Sequence, residues 1–477
     1  MNKNIIIALF VVLTFNACND FLTLEPPTRI NELNFYETEN DFEAAMFGTY
    51  SGLQGLYSTT LLRLAELPTD NAWILWTSPS ISEIEAEEID FTSANVFVAS
   101  VWDNAYQTIA RSNNIINQLE ASDIDASVKD QYRGEAKFLR ALNYFYLVQF
   151  FGDIPLITNT FRSPDQVNTY DWTRNPAAEI YDLIVSDLQE AANLLQGTDL
   201  SKARASTGAA KALLGKVYLT RGNYDLAAAT LKEVIDMNEY ELQDDYHTLF
   251  TNNNDELPES IFEVKYLSGM MGEGNDFTST FAPENFDMAI FPNNRQGSGR
   301  IVVTPNLAAS YEEGDLRRVA TIRDSLLLQD GSYDQVKYGI KFIDFETLAG
   351  DDGGINFTVL RYADVLLMYA EALNELGDTE EAHDYLNIVR ERAGLDPLQG
   401  LSQAEFVLVM EDERRVEFAQ EAHRWFDLVR TGRLQTVMNN YFQGNGWEFS
   451  VEEYEVLLPI PQIEIEITPA LTQNEGY

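Results

Sequence analysis

Asp70-Asn71-Ala72-Trp73-Ile74-Leu75-Trp76 sets two indoles three residues apart behind a carboxylate and a carboxamide, in a segment flanked by Pro68 and Pro79. This is a combination that can hold a sugar. Carbohydrates present apolar C–H faces and polar edges, so their sites join an aromatic platform to Asp, Asn and Arg donors and acceptors. Two fates are open to Trp73 and Trp76: a platform facing solvent, or packing between helices. Arg361, in Val359-Leu360-Arg361-Tyr362, opens a later helical segment and has two fates as well, reaching the same face or closing a structural ion pair.

Reaction chemistry is not expected. With 76 acidic residues some pair of carboxylates always falls at an acid/base spacing, so spacing alone identifies no glycosidase. The three histidines, His247, His383 and His423, form no HExxH pair, and the single cysteine cannot join them in a zinc site. His423 lies among Glu413, Arg415, Glu417, Glu421, Arg424 and Asp427, where ion pairs at three- and four-residue helical spacing account for the residues. No GxSxG elbow occurs, and Gly269-Met270-Met271-Gly272-Glu273-Gly274 is neither a phosphate loop nor a dinucleotide fingerprint. Asp351-Asp352 and Asn252 to Asp255 lack EF-hand spacing, so they read as solvated turns that could at most collect a structural calcium ion weakly. The expectation is a binding protein with no catalytic residues and no cofactor.

The elements that must position such a site are mostly helical. From Asn40 onward, helical apolar spacing runs through Phe42 to Tyr50, Val101 to Leu119, Arg133 to Phe151 and Ala177 to Leu195. Arg133 to Phe151 carries apolar residues on more than one face, which predicts a core helix, stopped at Gly152 and turned at Pro155. Leu214-Gly215, Tyr218, Gly222, Tyr224, Ala227, Leu231 and Val234 follow tetratricopeptide spacing, and Tyr369-Ala370, Leu373, Gly377, Ala382, Leu386 and Val389 repeat its offsets. Phe145, Val148 and Gly152 fit half of a third unit. Residues 251 to 358 differ: rich in Asn, Gly and Pro, they predict loops and short strands, and a binding surface is the usual use of so much irregular chain. The expected fold is mainly α, with tetratricopeptide-like hairpins packed against a loop-rich lobe bearing a few short strands.

Charge narrows the partners. Lys and Arg number 32 against 76 Asp and Glu, a net charge of −44, which repels nucleic acid, anionic lipid and polyanionic ligands. The acidic residues are spread along the chain and aromatics make up 12%, so the charge is a solvated surface on a folded body. At the amino terminus Lys3 precedes the apolar run Ile5 to Leu13, too short to span a bilayer but suited to a secretory signal. Phe15-Asn16-Ala17-Cys18 resembles a bacterial lipobox, with small Ala17 in place and Phe15 and Asn16 unusual. Cys18 is the only cysteine, and its lipidation would tether the protein to a membrane.

The run Arg133-Gly134-Glu135-Ala136-Lys137-Phe138-Leu139-Arg140-Ala141 through Gly152-Asp153-Ile154-Pro155-Leu156 resembles the SusD/RagB family. So do Asn19-Asp20-Phe21-Leu22, Glu413 to Ala419, His423 to Gly432, Leu458-Pro459-Ile460-Pro461 and Gln473-Asn474-Glu475-Gly476-Tyr477. Ala422 stands where the family usually has glycine, and Glu475 where it often has proline. The resemblance implies a signal peptide at 1–17, a lipidated arm at 18–34, a helical region at 35–240 and a carboxy-terminal region with the ligand lobe at 241–477. It implies a lipid-anchored outer-membrane protein at the cell surface that captures glycan without turnover and delivers it to a SusC-like TonB-dependent transporter. Peptide capture in the manner of RagB, or a tetratricopeptide adaptor role, is the alternative. Family members bind through aromatics near 70–76 and in the irregular lobe, which adds Phe291, Asn293, Asn294 and Arg295 to Asp70, Asn71, Trp73, Trp76 and Arg361. The net charge favours a neutral glycan: a β-glucan, α-glucan or fructan.

Overall fold

The computed structural model describes residues 35–75, 77–283, 297–328, 330–347 and 349–477. Its body is a stack of helices: α1 (Glu39–Tyr57), α2 (Thr59–Ala65), α3 (Ile81–Glu88), α4 (Val96–Ala121), α5 (Ala126–Phe151), α6 (Ala177–Leu194), α7 (Thr207–Thr220) and α8 (Tyr224–Asp236). After a long insertion come α9 (Tyr362–Glu375), α10 (Thr379–Arg392), α11 (Gln403–Glu417), α12 (Arg424–Arg430) and α13 (Leu434–Gly444).

Helix α5 is the core element that its composition predicts. It is capped by Asp125, whose side chain accepts from the Ser127 amide, and stops at Gly152, which adopts φ +68° and donates to the Val148 carbonyl. A Cβ at Gly152 would come within 3.0 Å of Leu457, so glycine suits both the turn and the contact. Helix α5 packs between α4 and α6, and from there each helix packs on the next: α6 on α7, α7 on α8, α9 on α10.

Helix α8 also packs on α9, although Asp236 and Tyr362 are far apart in sequence. The two tetratricopeptide-like units are therefore neighbours, and the stack continues through the place where the lobe is inserted. Lys216 of α7 and Arg414 of α11 both bind the buried Asp364 carboxylate of α9, at 3.0 and 2.8 Å. Burial favours the neutral acid there, but the two cations outweigh it and hold Asp364 far below the usual carboxylate range.

The inserted lobe is built as its composition predicts. Between 251 and 358 the described residues form short helices, such as Phe277–Phe281 and Pro305–Ser310, and strands mostly two residues long. The exceptions are β2 (Ser260–Val264) and β4 (Phe357–Arg361), which pair antiparallel and close the neck of the insertion. The lobe also meets the first third of the chain, where β1 (Ala72–Trp73) pairs antiparallel with β3 (Val302–Val303).

Gly215 shows why the repeat spacing matters. An added Cβ would lie 2.5 Å from two atoms of the buried Leu231, so α7 and α8 approach more closely than any side chain allows. Gly215→Ala should destabilise the protein by about 1–3 kcal/mol, read from a denaturant midpoint at unchanged slope. A midpoint equal to that of the unsubstituted protein would refute the close approach.

Candidate functional site

The pairing of β1 with β3 brings the tryptophan segment onto the lobe. Ala72 points into the core, and Trp73, opposite Val302, is half-buried with its indole Nε1 donating to the Val303 carbonyl at 3.2 Å. Because the indole nitrogen is already satisfied, what remains of the side chain for a ligand is ring face. The Leu75 amide donates to the Gly299 carbonyl, and the Gly299 amide donates to Ala282, so the chain on either side of 284–296 is pinned next to Leu75. Trp76, Phe291, Asn293, Asn294 and Arg295, like Cys18 and the arm before residue 35, lie outside the described residues.

Asp70 and Asn71 are not ligand groups. Asp70 is 4% exposed and its carboxylate takes Arg424 Nε at 2.8 Å and Arg415 Nη2 at 3.0 Å. Burial pushes this carboxyl up, but Arg415 and Arg424 outweigh it and hold it below the usual range. Asn71 is 1% exposed; its Oδ1 accepts from Arg415 Nε and its Nδ2 donates to Glu66. The pair that looked like a hydroxyl-binding rim is instead the anchor that ties the segment to α11 and α12.

Arg361 resolves the same way. At 1% exposure it donates to Glu259 at 2.8 Å, Glu417 at 2.5 Å and Glu421 at 2.8 Å, and its guanidinium lies 4.3 Å from the centre of the Phe418 ring. No donor is left for a ligand, so of its two fates the ion pair is the one realised.

The charged run Glu413–Asp427 is structural, as expected, but only Asp427 uses helical spacing, pairing with Arg430 at i, i+3 at 2.8 Å. Helix α11 ends at Glu417, and the chain passes through Gln420 and Ala422, both at positive φ, before α12 begins. Ala422 thus sits in a left-handed conformation that suits glycine, the residue usual there in the family it resembles. The side chains fan outward instead. Glu413 meets Arg317 and Arg390, Arg415 meets Asp70, and Glu421 meets Lys341. His423 is buried and stacked 4.4 Å from Phe418, with burial holding its ring well below the usual imidazole pKa.

Asp352 and Asp255, two of the turn residues considered for calcium, have protein partners. Asp352 accepts from the Gly269 and Met270 amides, and Asp255 pairs with Lys265, whose ammonium also contacts Glu256 and Glu263. A resident cation of the protein's own occupies the centre of that acidic trio.

Sequence reasoning passed over an aromatic surface on α13 and the turn that follows it. Tyr441 of α13 lies edge-on to Trp447 at 5.7 Å, and Trp447 edge-on to Phe449 at 5.9 Å. Burial raises the Tyr441 phenol, with Glu87 and Asp70 adding to the effect, and Glu87 in turn accepts the Ile74 amide. The signal was Gly444-Asn445-Gly446, a turn that ends α13 and sets Trp447 and Phe449 at the surface. Arg300, which follows the Gly299 bonded to Leu75, is bound to Glu83 at 2.6 Å, a carboxylate it shares with Arg63. Trp73 thus offers partly exposed ring surface close to two carboxylates, Asp70 and Glu83, that arginines neutralise, which suits a neutral ligand that stacks.

Residues 329–477 match the model of the SusD family, and residues 20–219 match a second model described as starch-binding associating with outer membrane. A laminarin-binding SusD-like protein of known structure superposes with a TM-score of 0.80 at 31% identity, covering 93% of this chain and all of that one. The chain belongs to the SusD family. SusD-like protein P2 of Formosa agariphila is 29% identical over the full length of both chains. The starch-binding protein SusD of Bacteroides thetaiotaomicron is 26% identical over 90% of this chain and 87% of its own. This family is one of glycan-binding proteins, and its helical, tetratricopeptide-like fold is the one described above.

Next to Asn71, Glu66 accepts from the Gln420 amide and from the Asn71 Nδ2, while its Oε2 is buried without a donor. Burial pushes this carboxyl up to about 7. A raised carboxyl favours folding while protonated, so its contribution is full below about 4.5 and lost as pH rises through about 7. Glu66→Gln should match the parent in thermal stability near pH 5 and exceed it at pH 8. An equal difference at both pH values would mean that Glu66 does not titrate in this range.

Proposed function

We propose that this protein captures a neutral glucan of the laminarin type on the Trp73 face, without turning it over, while tethered to the outer membrane through Cys18. In this reading it hands the glycan to a SusC-like TonB-dependent transporter. The observation that carries the ligand class is the 31% identity, across nearly the whole of both chains, to a protein named for laminarin binding. The face itself supports a neutral ligand: Trp73 offers ring surface, the nearby carboxylates of Asp70 and Glu83 are neutralised by arginines, and the chain as a whole carries −44. Polyuronates and sulfated glycans meet that charge at long range, screened only beyond about 8 Å at physiological ionic strength. Non-catalytic capture fits the chemistry as well, because Asp70 and Glu83 are committed to arginines and Glu66 is fully buried beneath the segment.

No helix among the described residues is long and apolar enough to cross a membrane, so a lipid at Cys18 is the attachment this reading requires. Cys18→Ser should move the protein from the membrane fraction to the soluble fraction in cells lacking the transporter. Retention in the membrane fraction would sink the anchor.

Titration calorimetry tests the ligand. Laminarin oligosaccharides should bind and alginate should not, and Trp73→Ala should weaken binding about ten- to hundredfold, the loss of one stacked ring by analogy with bases on aromatic side chains. Preference for alginate would overturn the charge argument, and unchanged affinity in a folded Trp73→Ala variant would remove Trp73 from the site.

A further inference from the structure

A second aromatic concavity lies on residues that the Trp73 face does not use. It encloses about 620 Å³ between α4, the loop after Pro155 and the carboxy-terminal helix α14 (Gln462–Ile467), within the size range of small-ligand sites. Rings line it. The partly exposed Tyr106 of α4 is backed at 4.9 Å by the buried Trp102, and the partly exposed Trp172 belongs to a three-ring cluster with Phe161 and Tyr170 at 4.9–5.3 Å.

The polar atoms of these rings already have partners, Glu464 for Trp102 and backbone carbonyls for the others. Tyr106 donates to the Pro155 carbonyl, Tyr170 to Leu156 and the Trp172 indole to Val167. Rings held at their polar ends are pre-organised to present their faces, at little entropic cost to a ligand. The rim carries carboxamides and acids: Gln107, Asn114, Asn159, Asp103 and Glu464. Gln107 is exposed and donates its Nε2 to Asp103 at 2.8 Å, which leaves its Oε1 for a ligand hydroxyl, while Asn114 donates to the Tyr36 hydroxyl behind it.

We infer that this groove is a second saccharide-binding site, taking a neutral gluco-oligosaccharide between Trp172 and the Tyr106 face with Gln107 at its hydroxyls. The inference rests on the glycan-capture reading and extends it: two sites on one protein hold a long polysaccharide by avidity, beyond the affinity of either. An apolar peptide is the competing occupant, and the rim of hydroxyl-binding amides and acids favours the sugar.

Titration calorimetry on the full chain with laminarihexaose and maltohexaose decides it. Whichever hexasaccharide binds should bind at two sites per chain. Trp172→Ala should leave one, and should lower retention on a laminarin affinity gel about tenfold or more. Gln107→Leu, which leaves the ring cluster in place, should weaken the same site and serves if Trp172→Ala fails to fold. A single site abolished by Trp73→Ala and untouched by Trp172→Ala and Gln107→Leu would overturn this inference and leave the proposed function standing. A single site lost in Trp172→Ala and kept in Trp73→Ala would uphold the groove and refute the Trp73 face. Absence of binding to either hexasaccharide would overturn both.

Discussion

The lobe and the helical stack are held together by a buried cluster of charges centred on Glu417. Its carboxylate meets Arg317, Arg361 and Arg392, while Arg361 also meets Glu259 and Glu421, and Lys341 completes the group on Glu421. These residues come from the neck strands, the irregular lobe, α10 and the end of α11. Taking so many ions out of water costs several kcal/mol each, and only nearly complete pairing offsets it. Removing one member of such a pair typically costs 3–5 kcal/mol, because its partner is left charged and buried. The cluster therefore gives the lobe one seating on the stack, since displacement of either would strand several charges at once.

That seating accounts for where the candidate face lies. The segment Glu66–Trp73 is fastened to the same turn after α11, through Glu66 to the Gln420 amide and Asp70 to Arg415 and Arg424. Strand β1 then delivers Trp73 to the lobe by pairing with β3. Acidic and basic side chains are consumed in the scaffold, and rings are left for the surface. A protein with 76 acidic residues can accordingly display a face suited to a neutral ligand, because Asp70 and Glu83 near it are paired with arginines.

The stack obeys a different constraint. Gly215 against Leu231 and the turn glycines Gly222 and Gly377, at φ +71° and +92°, let successive helices approach and reverse. Helix α9 docks on α8 as though the chain had never left, and that tolerance allows more than a hundred residues to be inserted without breaking the core. The cost of closing a long insertion grows only slowly with its length.

Much of the fold was legible in the sequence because helical periodicity, repeat offsets and glycine positions are local signals. The core helix α5 and its stop at Gly152, both repeat units and the irregular character of 251–358 all follow from spacings of a few residues. The site was less legible. Asp70, Asn71 and Arg361 have the right chemistry for binding sugar, and only their distant partners, Arg424, Arg415 and Glu417, decide that they serve the scaffold. Tyr441, Trp447 and the ring cluster around Trp172 drew no attention in sequence, since a lone aromatic is as often core as surface. Residue type and spacing determine which elements form and what chemistry a side chain can do. Which side chains remain free to do it depends on contacts across hundreds of residues, and only the tertiary structure decides those.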